Sequence, residues 1–452
     1  MPTRVRPPRK PGLRADRRQK APAPLRLMTP NLEDLFMEYS EHFAYRDGRL
    51  YCEDLPVSKL ADDYGTPLYI YSRAAFEQAY RDYDDNLRLD HMICYSVKTN
   101  SNLAVLQLMA SLGSGFDIVS GGELARVVEA GGDAGRVVYS GVGKRDDEIA
   151  YALDLGIYCF NVESEAELEA ISRVAAAKGK AAPVAFRVNP DVDPHTHHHI
   201  ATGLKTSKFG VPVDEALRLY EKAAHLEGIR VRGLDCHIGS QLTTLAPFEE
   251  MAEKIIPLAQ ELKSRYGIEF VDVGGGLGIN YANDGAPNAG EYAKLLNRRF
   301  ADLGLKLVLE PGRSIAGNSG VLAARVTYLK RTARDFAVVD AGMNDMIRPA
   351  LYSAWMNIDV AERRPADEKK LFSVVGPICE SGDKLGEDRE LAVKAGDVLV
   401  QFSAGAYGFS MSSNYNSRPR AAEIMVDKDR AFVIRQRETV SDLWRGERLL
   451  EL

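Results

Sequence analysis

The chain carries its most suggestive chemistry in YSVKTN at residues 95–100. Met92, Ile93, Cys94 and Tyr95 read as the end of a buried strand. Lys98 follows at once, and Asn100 and Asn102 open the next turn. Over residues 103–112 apolar side chains recur at helical spacing. A lysine at the mouth of a buried strand stands where desolvation disfavours the ammonium form, and a neutral amine can form a Schiff base. A lone strand-end lysine is more commonly a plain surface residue, so the partners decide.

Those partners lie far along the chain. The run Gly274, Gly275, Gly276, with Gly278 beyond, follows a strand, where glycines let backbone N–H groups approach a phosphate. Tight-turn packing explains such a run equally well, but its place after a seventh strand favours phosphate. Ser240, after a sixth strand, adds a hydroxyl. Glu310, Pro311, Gly312 and Arg313 close an eighth strand. There the carboxylate can hold a ring nitrogen protonated and the arginine can clamp a substrate carboxylate; a mutual salt bridge is the plain alternative. His237 reads as lying inside an apolar strand, as a core residue or as a flat face for a ring. A lysine, a phosphate cradle, a ring-nitrogen carboxylate and a stacking imidazole together describe a pyridoxal 5'-phosphate site.

The elements that must position these residues follow a rhythm. Strand-like runs at 91–98, 115–120, 137–143, 158–163, 184–190, 233–241, 270–276 and 306–313 alternate with helical runs such as 122–130, 146–155, 164–178 and 248–266. Eight strands alternating with helices over about 225 residues predict a (β/α)8 TIM-like barrel, with a doubly wound open sheet as the alternative. Polar or glycine-rich residues close every strand, as barrel active sites require. The connection from Asn189 to Leu234 is long and holds HTHHHIATGLKTSKFG, which reads as a lid-like loop. Before the barrel, residues 45–52 read as a hairpin turning at Asp47-Gly48, 57–64 as a short helix and 68–71 as a strand. After Arg313, short β-like runs at 321–329, 336–340, 372–375, 398–403, 422–426 and 431–435 predict a mainly β domain. The expected division is a basic tail at 1–27, an N-terminal segment at 28–73 joining the β domain, the barrel at 74–318 and the C-terminal β domain at 319–452.

Composition narrows the function classes. The 452 residues carry a formal net charge of −6. Residues 1–27 hold nine Lys or Arg and one Asp, a net of +8, which leaves −14 on the remainder. An acidic body argues against nucleic acid as partner, and no apolar run is long enough to span a bilayer. The tail has six prolines and no serine, is expected to be disordered, and lacks the features of a targeting segment; Met28 is an alternative start. Five scattered cysteines without a CxxC suit reduced thiols in the cytoplasm. Asp191, Asp193 and His197 to His199 match no metal-ligand spacing, and no metal is expected.

The motifs YSVKTNSNLAVL, GFDIVSGGEL, RVNPDVDPHTH, TGLKTSKFG, CHIGSQ, VDVGGGLGINY, LEPGRSI, DAGMNDMIRPALY, CESGD and SAGAYGFSMSSNYNSRPR stand in this order over residues 32–444. In this the chain resembles the diaminopimelate decarboxylase family of fold-type III pyridoxal phosphate enzymes. It departs in reading SVKTN where the family more often has AVKAN, and in its three consecutive histidines. The resemblance implies decarboxylation of meso-2,6-diaminopimelate to L-lysine and CO2, the last step of lysine biosynthesis, by a homodimer with shared active sites. It implies that Lys98 carries the cofactor with Asp117 near it, and that His237 stacks on the ring. Ser240, Gly276 and residues 310–313 would bind phosphate and ring nitrogen. Arg313, Arg348 and Tyr352 would hold the distal carboxylate of the substrate. Cys379 would be the proton donor and Glu380 would bind the distal ammonium, both from the second subunit, and Tyr407 would touch cofactor and substrate.

Two other readings compete. An ornithine- or arginine-type decarboxylase of the same fold needs an anionic pocket for a distal cation alone, whereas Arg348 with Arg313 argues for a distal carboxylate. A non-catalytic regulator on this fold should have lost the lysine or the cysteine, and both are present.

Overall fold

The structure, a computed structural model, describes residues 41–192, 208–282 and 285–452. The tail at 1–27, the first part of the segment at 28–73 and the histidine run His197 to His199 lie outside the described residues. Eight parallel strands close into a ring: β1 (His91–Ser96), β2 (Gly115–Ile118), β3 (Val137–Tyr139), β4 (Cys159–Val162), β5 (Ala182–Asn189), β6 (Ile229–Asp235), β7 (Phe270–Asp272) and β8 (Lys306–Leu309). Each pairs with the next, and β8 pairs with β1 through Val308 opposite Met92. This is the expected (β/α)8 barrel, and the open sheet is set aside.

Strand alternation builds the barrel in layers. Cβ vectors point alternately inward and outward. Met92, Cys94, Val138, Cys159, Ala185, Phe270 and Val308 form one apolar cluster of their own, separate from the large cluster in which Ile93, Tyr95, Phe116, Phe160 and Phe186 pack with helix residues. Gly233 is required beside Phe270, because a Cβ there would lie 2.3 Å from its ring. Two residues further along each strand the inward position turns polar: Ser96, Asp117, Ser140, Asn161, Arg187, Asp235, Asp272 and Glu310, all buried. The helices behind are anchored locally. Ser72, Asn102, Ser120 and Ser164 each accept a first-turn N–H at a helix start, caps of about 1 kcal/mol apiece.

The strands end earlier than their sequence runs predict, by one to six residues. Inter-strand pairing stops where the strands splay at the mouth, and the polar residues continue as loops. The largest shift is in β6, expected at 233–241. Its first half alternates with Arg230 and Arg232 and so reads as non-strand. Both arginines pair with Glu269 at the barrel rim. His237 therefore lies in the loop after β6, not inside a strand. The connection from Asn189 to Leu234 is not one open loop. It holds Val211–Pro212, paired with β5, and a helix at Val213–His225. Ala216, Leu219, Tyr220 and Ala223 are buried on one face of that helix, a spacing hidden by its charged neighbours.

The second, mainly β domain draws on both ends of the chain. Leu68–Ser72 lies between Gly320–Arg331, antiparallel, and Ala422–Asp427, parallel. Phe43, Leu50, Val57, Leu60, Leu68 and Ile70 share one core with Val321, Val398, Val400 and Ile424. The expected hairpin is present, with Asp47 and Gly48 both at positive φ as its turn requires, and the short helix spans Val57–Tyr64. Three strands escaped the sequence pattern, the two-residue Leu55–Pro56, Ile358–Val360 and Lys384–Leu391. The last, KLGEDREL, is so charged that no apolar alternation shows.

Candidate active site

Lys98 occupies a single 3₁₀ turn, Val97–Thr99, between β1 and the following helix. The turn is tied from several sides. Ser96 N–H donates to the Pro311 carbonyl at 3.1 Å and Tyr407 N–H to the Thr99 carbonyl at 2.8 Å. Thr99 Oγ1 donates to the Ser96 carbonyl at 2.7 Å. Lys98 Nζ donates to Asp117 Oδ2 at 2.7 Å, and Ser96 Oγ donates to the same oxygen at 2.7 Å. The side chain of Asp117 is fully buried, while that of Lys98 is 38 % exposed.

The protonation of Lys98 differs from the sequence expectation. Burial alone would strip its proton, but Asp117, and then Glu310, outweigh burial and hold the amine above its ordinary range. One lysine facing several buried carboxyls keeps its charge.

Glu310 reaches across the barrel. Its Oε1 accepts from Ser140 Oγ and Asn161 Nδ2, both at 3.3 Å. Burial first, then the charge of Asp117, pushes its carboxyl up to about 7, against the opposing pull of Lys98 and Arg187. Asp235 and Asp272 lie directly opposite one another on β6 and β7 and bring oxygens within 4.8 Å of Glu310. Burial, then Glu310, raises both far above the usual carboxylate range. The site thus holds a group of acids that each bind a proton more tightly than a free carboxylate does.

His237 sits half-buried beside this group. Its Nδ1 accepts from Gly275 N–H at 3.1 Å. Burial, then Arg187 and Lys98, holds the ring far below the usual histidine value, so the imidazole is neutral with its proton on Nε2. Gly274 N–H donates to Asp272 Oδ1 at 2.8 Å. Two of the three glycine amides thus turn inward, and Gly276 is the third. Gly276 has φ +104, and a Cβ on it would lie 2.6 Å from the Gly239 carbonyl; one on Gly275 would lie 2.3 Å from that of Glu310. Close backbone approach, not sequence taste, demands glycine at both.

Arg313 and Arg348 are both buried. Arg313 donates to Tyr281 OH at 2.8 Å and to Ser240 Oγ at 3.0 Å, and its guanidinium lies 4.9 Å from the Tyr407 ring centre. Arg348 opens the helix Arg348–Tyr352, which carries Tyr352 at its other end. Cys379 and Glu380 are exposed, and among the described residues their hydrogen bonds stay within the β domain, to Asn416 and Tyr415 among others. The structure thus gathers Lys98, Asp117, His237, Ser240, Gly274, Gly275, Gly276, Glu310, Pro311, Gly312, Arg313 and Tyr407 through direct contacts, and Arg348 through Tyr281. Sequence reading missed Ser96, Ser140, Asn161, Asp235, Asp272 and Tyr281. For the first five the signal was available: each stands two residues beyond an inward position of its strand that carries an apolar side chain or, before Asp235, the glycine Gly233.

The donor set fits pyridoxal phosphate. An amine and a proton-retaining carboxyl share one barrel mouth, a neutral flat imidazole lies beside them, and a glycine turn with Ser240 leaves room where any Cβ would intrude. Asp117 Oδ1 and Arg313 Nε are buried without a hydrogen-bond partner among the described residues, so the mouth still has polar capacity to offer.

Comparison with known proteins places the chain. The profile of the family described as "Pyridoxal-dependent decarboxylase, pyridoxal binding domain" matches residues 73–317. Diaminopimelate decarboxylase of Pseudomonas aeruginosa is 53% identical over 411 residues, covering 90% of this chain and 99% of the relative. That of Haemophilus influenzae is 52% identical over 406 residues, covering 89% and 98%. The crystal structure of diaminopimelate decarboxylase from M. jannaschii in co-complex with L-lysine superposes with a TM-score of 0.86 at 38% identity, covering 91% of this chain and 99% of that one.

Proposed function

Because the chain belongs to the diaminopimelate decarboxylase family of pyridoxal-dependent decarboxylases, we infer that it converts meso-2,6-diaminopimelate to L-lysine and CO2 with pyridoxal 5'-phosphate, the last step of lysine biosynthesis. Bound at this mouth, the cofactor supplies an electron sink for the charge left when CO2 departs. The chain's residues do the rest. Lys98 Nζ is the attachment point, and Asp117 sets its charge. Glu310 would take the ring nitrogen, and its carboxyl, raised to about 7, would help hold that nitrogen protonated. His237 offers a neutral face to the ring. Gly276 and Ser240 receive the phosphate, with Gly274, Gly275, Pro311 and Gly312 shaping the turns around it.

The observation that carries the substrate reading is the buried pair Arg313 and Arg348. Two desolvated guanidiniums call for an anion, and meso-diaminopimelate brings a carboxylate at its far end. Tyr352 adds a hydrogen bond and Tyr407 borders both ligands. Cys379 Sγ delivers a proton to the α-carbon, and Glu380 takes the far ammonium. We assign both to a second copy of the chain, because they sit exposed on a loop bonded within its own β domain; the working unit is then a homodimer. Among the described residues no helix is long and apolar enough to cross a membrane. The five unbridged thiols support a reducing, cytoplasmic setting. The test is turnover of the cofactor-loaded protein with meso-diaminopimelate, L-ornithine and L-arginine, reading CO2 release and L-lysine by chromatography. Preferential turnover of ornithine or arginine overturns the assignment.

A further inference from the structure

Tyr281 stands between the two arginines. It is 7 % exposed. Its hydroxyl accepts from Arg313 at 2.8 Å, and the guanidinium of Arg348 lies over its ring, 4.5 Å from the centre. One side chain therefore serves two like charges by two different means, a hydrogen bond at its tip and a π face along its side. Arg313 Nε and Arg348 NH1 are buried without a hydrogen-bond partner among the described residues, so each arginine keeps donor capacity that the protein does not use. Burial would push the phenol up, yet Arg313 and Arg348 together hold it below the usual tyrosine range, in keeping with an oxygen that both cations face.

We propose that Tyr281 is a positioning residue for substrate selection, holding Arg313 and Arg348 apart and in register as one receptor for the distal carboxylate. Without it, two guanidiniums in one dry pocket repel and splay. With it, Arg313 is aimed from the hydroxyl and Arg348 is seated on the ring, so a single carboxylate can meet both. The proposal rests on the reading that these arginines take the far carboxylate, and it adds what keeps them in place.

The test uses the cofactor-loaded, full-length enzyme. Tyr281→Phe keeps the ring and removes the hydroxyl; Tyr281→Leu removes both. Steady-state rates with meso-diaminopimelate give KM and kcat separately. The inhibition constant of 1,5-diaminopentane, which has no distal carboxylate, is the control; the product L-lysine retains that carboxylate and should weaken along with the substrate. Tyr281→Phe should raise KM for diaminopimelate roughly tenfold, about the effect of one charge-assisted hydrogen bond, with kcat within about twofold and 1,5-diaminopentane inhibition unchanged. Tyr281→Leu should raise KM further, toward a hundredfold. A fall in kcat at constant KM, or equal weakening of diaminopimelate and 1,5-diaminopentane, overturns the proposal. Arg348→Met, run alongside, separates the two levels. If it selectively weakens diaminopimelate while both Tyr281 variants do not, the arginine reading stands and the role of Tyr281 falls. If Arg348→Met is itself unselective, both fall.

Discussion

Arg348→Met tests the substrate assignment most directly. Arg348 is 6 % exposed and lies on the Tyr281 ring, near Arg313. Burial lowers its proton affinity, Tyr281 raises it and Arg313 lowers it again, leaving the guanidinium below the ordinary arginine range. The pocket is short of negative charge, and an entering carboxylate relieves that shortage. Truncating one partner of a desolvated charge pair costs about 2–5 kcal/mol. Arg313 still meets the carboxylate in the variant, so the loss belongs near the lower end, about 2–3 kcal/mol. That is roughly 30- to 150-fold in kcat/KM for meso-diaminopimelate. 1,5-Diaminopentane has no distal carboxylate, and its inhibition constant should change less than about threefold, whereas the product L-lysine retains that carboxylate and should weaken with the substrate. Methionine fills much of the vacated volume and removes a buried charge lacking a full set of partners, so the ligand-free protein should melt no lower than wild type. The assay is CO2 release across substrate concentrations, with 1,5-diaminopentane as competitor and thermal melting as control. Equal losses for substrate and 1,5-diaminopentane, at unchanged melting temperature, would refute the charge-matching argument.

The remaining predictions concern the cofactor mouth. Lys98→Ala should abolish the visible absorbance that wild-type protein gains with pyridoxal phosphate; a retained covalent adduct would place the attachment elsewhere. In Asp117→Asn the principal carboxylate that raises Lys98 is gone, so covalent capture of pyridoxal phosphate, which needs the neutral amine, should shift to lower pH; superimposable pH profiles would sink that account. Glu310 has a folded-state carboxyl raised from 4.5 to about 7. The folded ligand-free protein therefore binds this proton more tightly than the unfolded chain. The resulting stability is fully present below about pH 4.5 and lost as pH rises toward 7. Melting temperatures of wild type and Glu310→Gln should accordingly diverge over that window, with the variant falling less; parallel curves would show that Glu310 titrates normally.

Much of this protein is written in its local sequence. Alternating strand and helix runs determine the barrel, because period-2 and period-3.6 patterns are set by neighbours along the chain. Lys98 is legible because it interrupts an apolar strand end, and Gly275 and Gly276 because close backbone approach leaves no room for a Cβ. The limits of the strands were not legible. Pairing ends where strands diverge in space, so the loop that holds His237 looks like strand in one dimension. The charged strand Lys384–Leu391 is likewise invisible without its partner Lys370–Val375. The proton on Lys98 was decided only by tertiary structure: sequence shows a desolvated lysine, whereas folding brings Asp117 and Glu310 to it from 19 and 212 residues away. The same holds for Tyr281. Nothing in its neighbourhood along the chain announces a role, and only the fold sets it between Arg313 and Arg348, because electrostatic interaction depends on distance in space and is indifferent to distance in sequence.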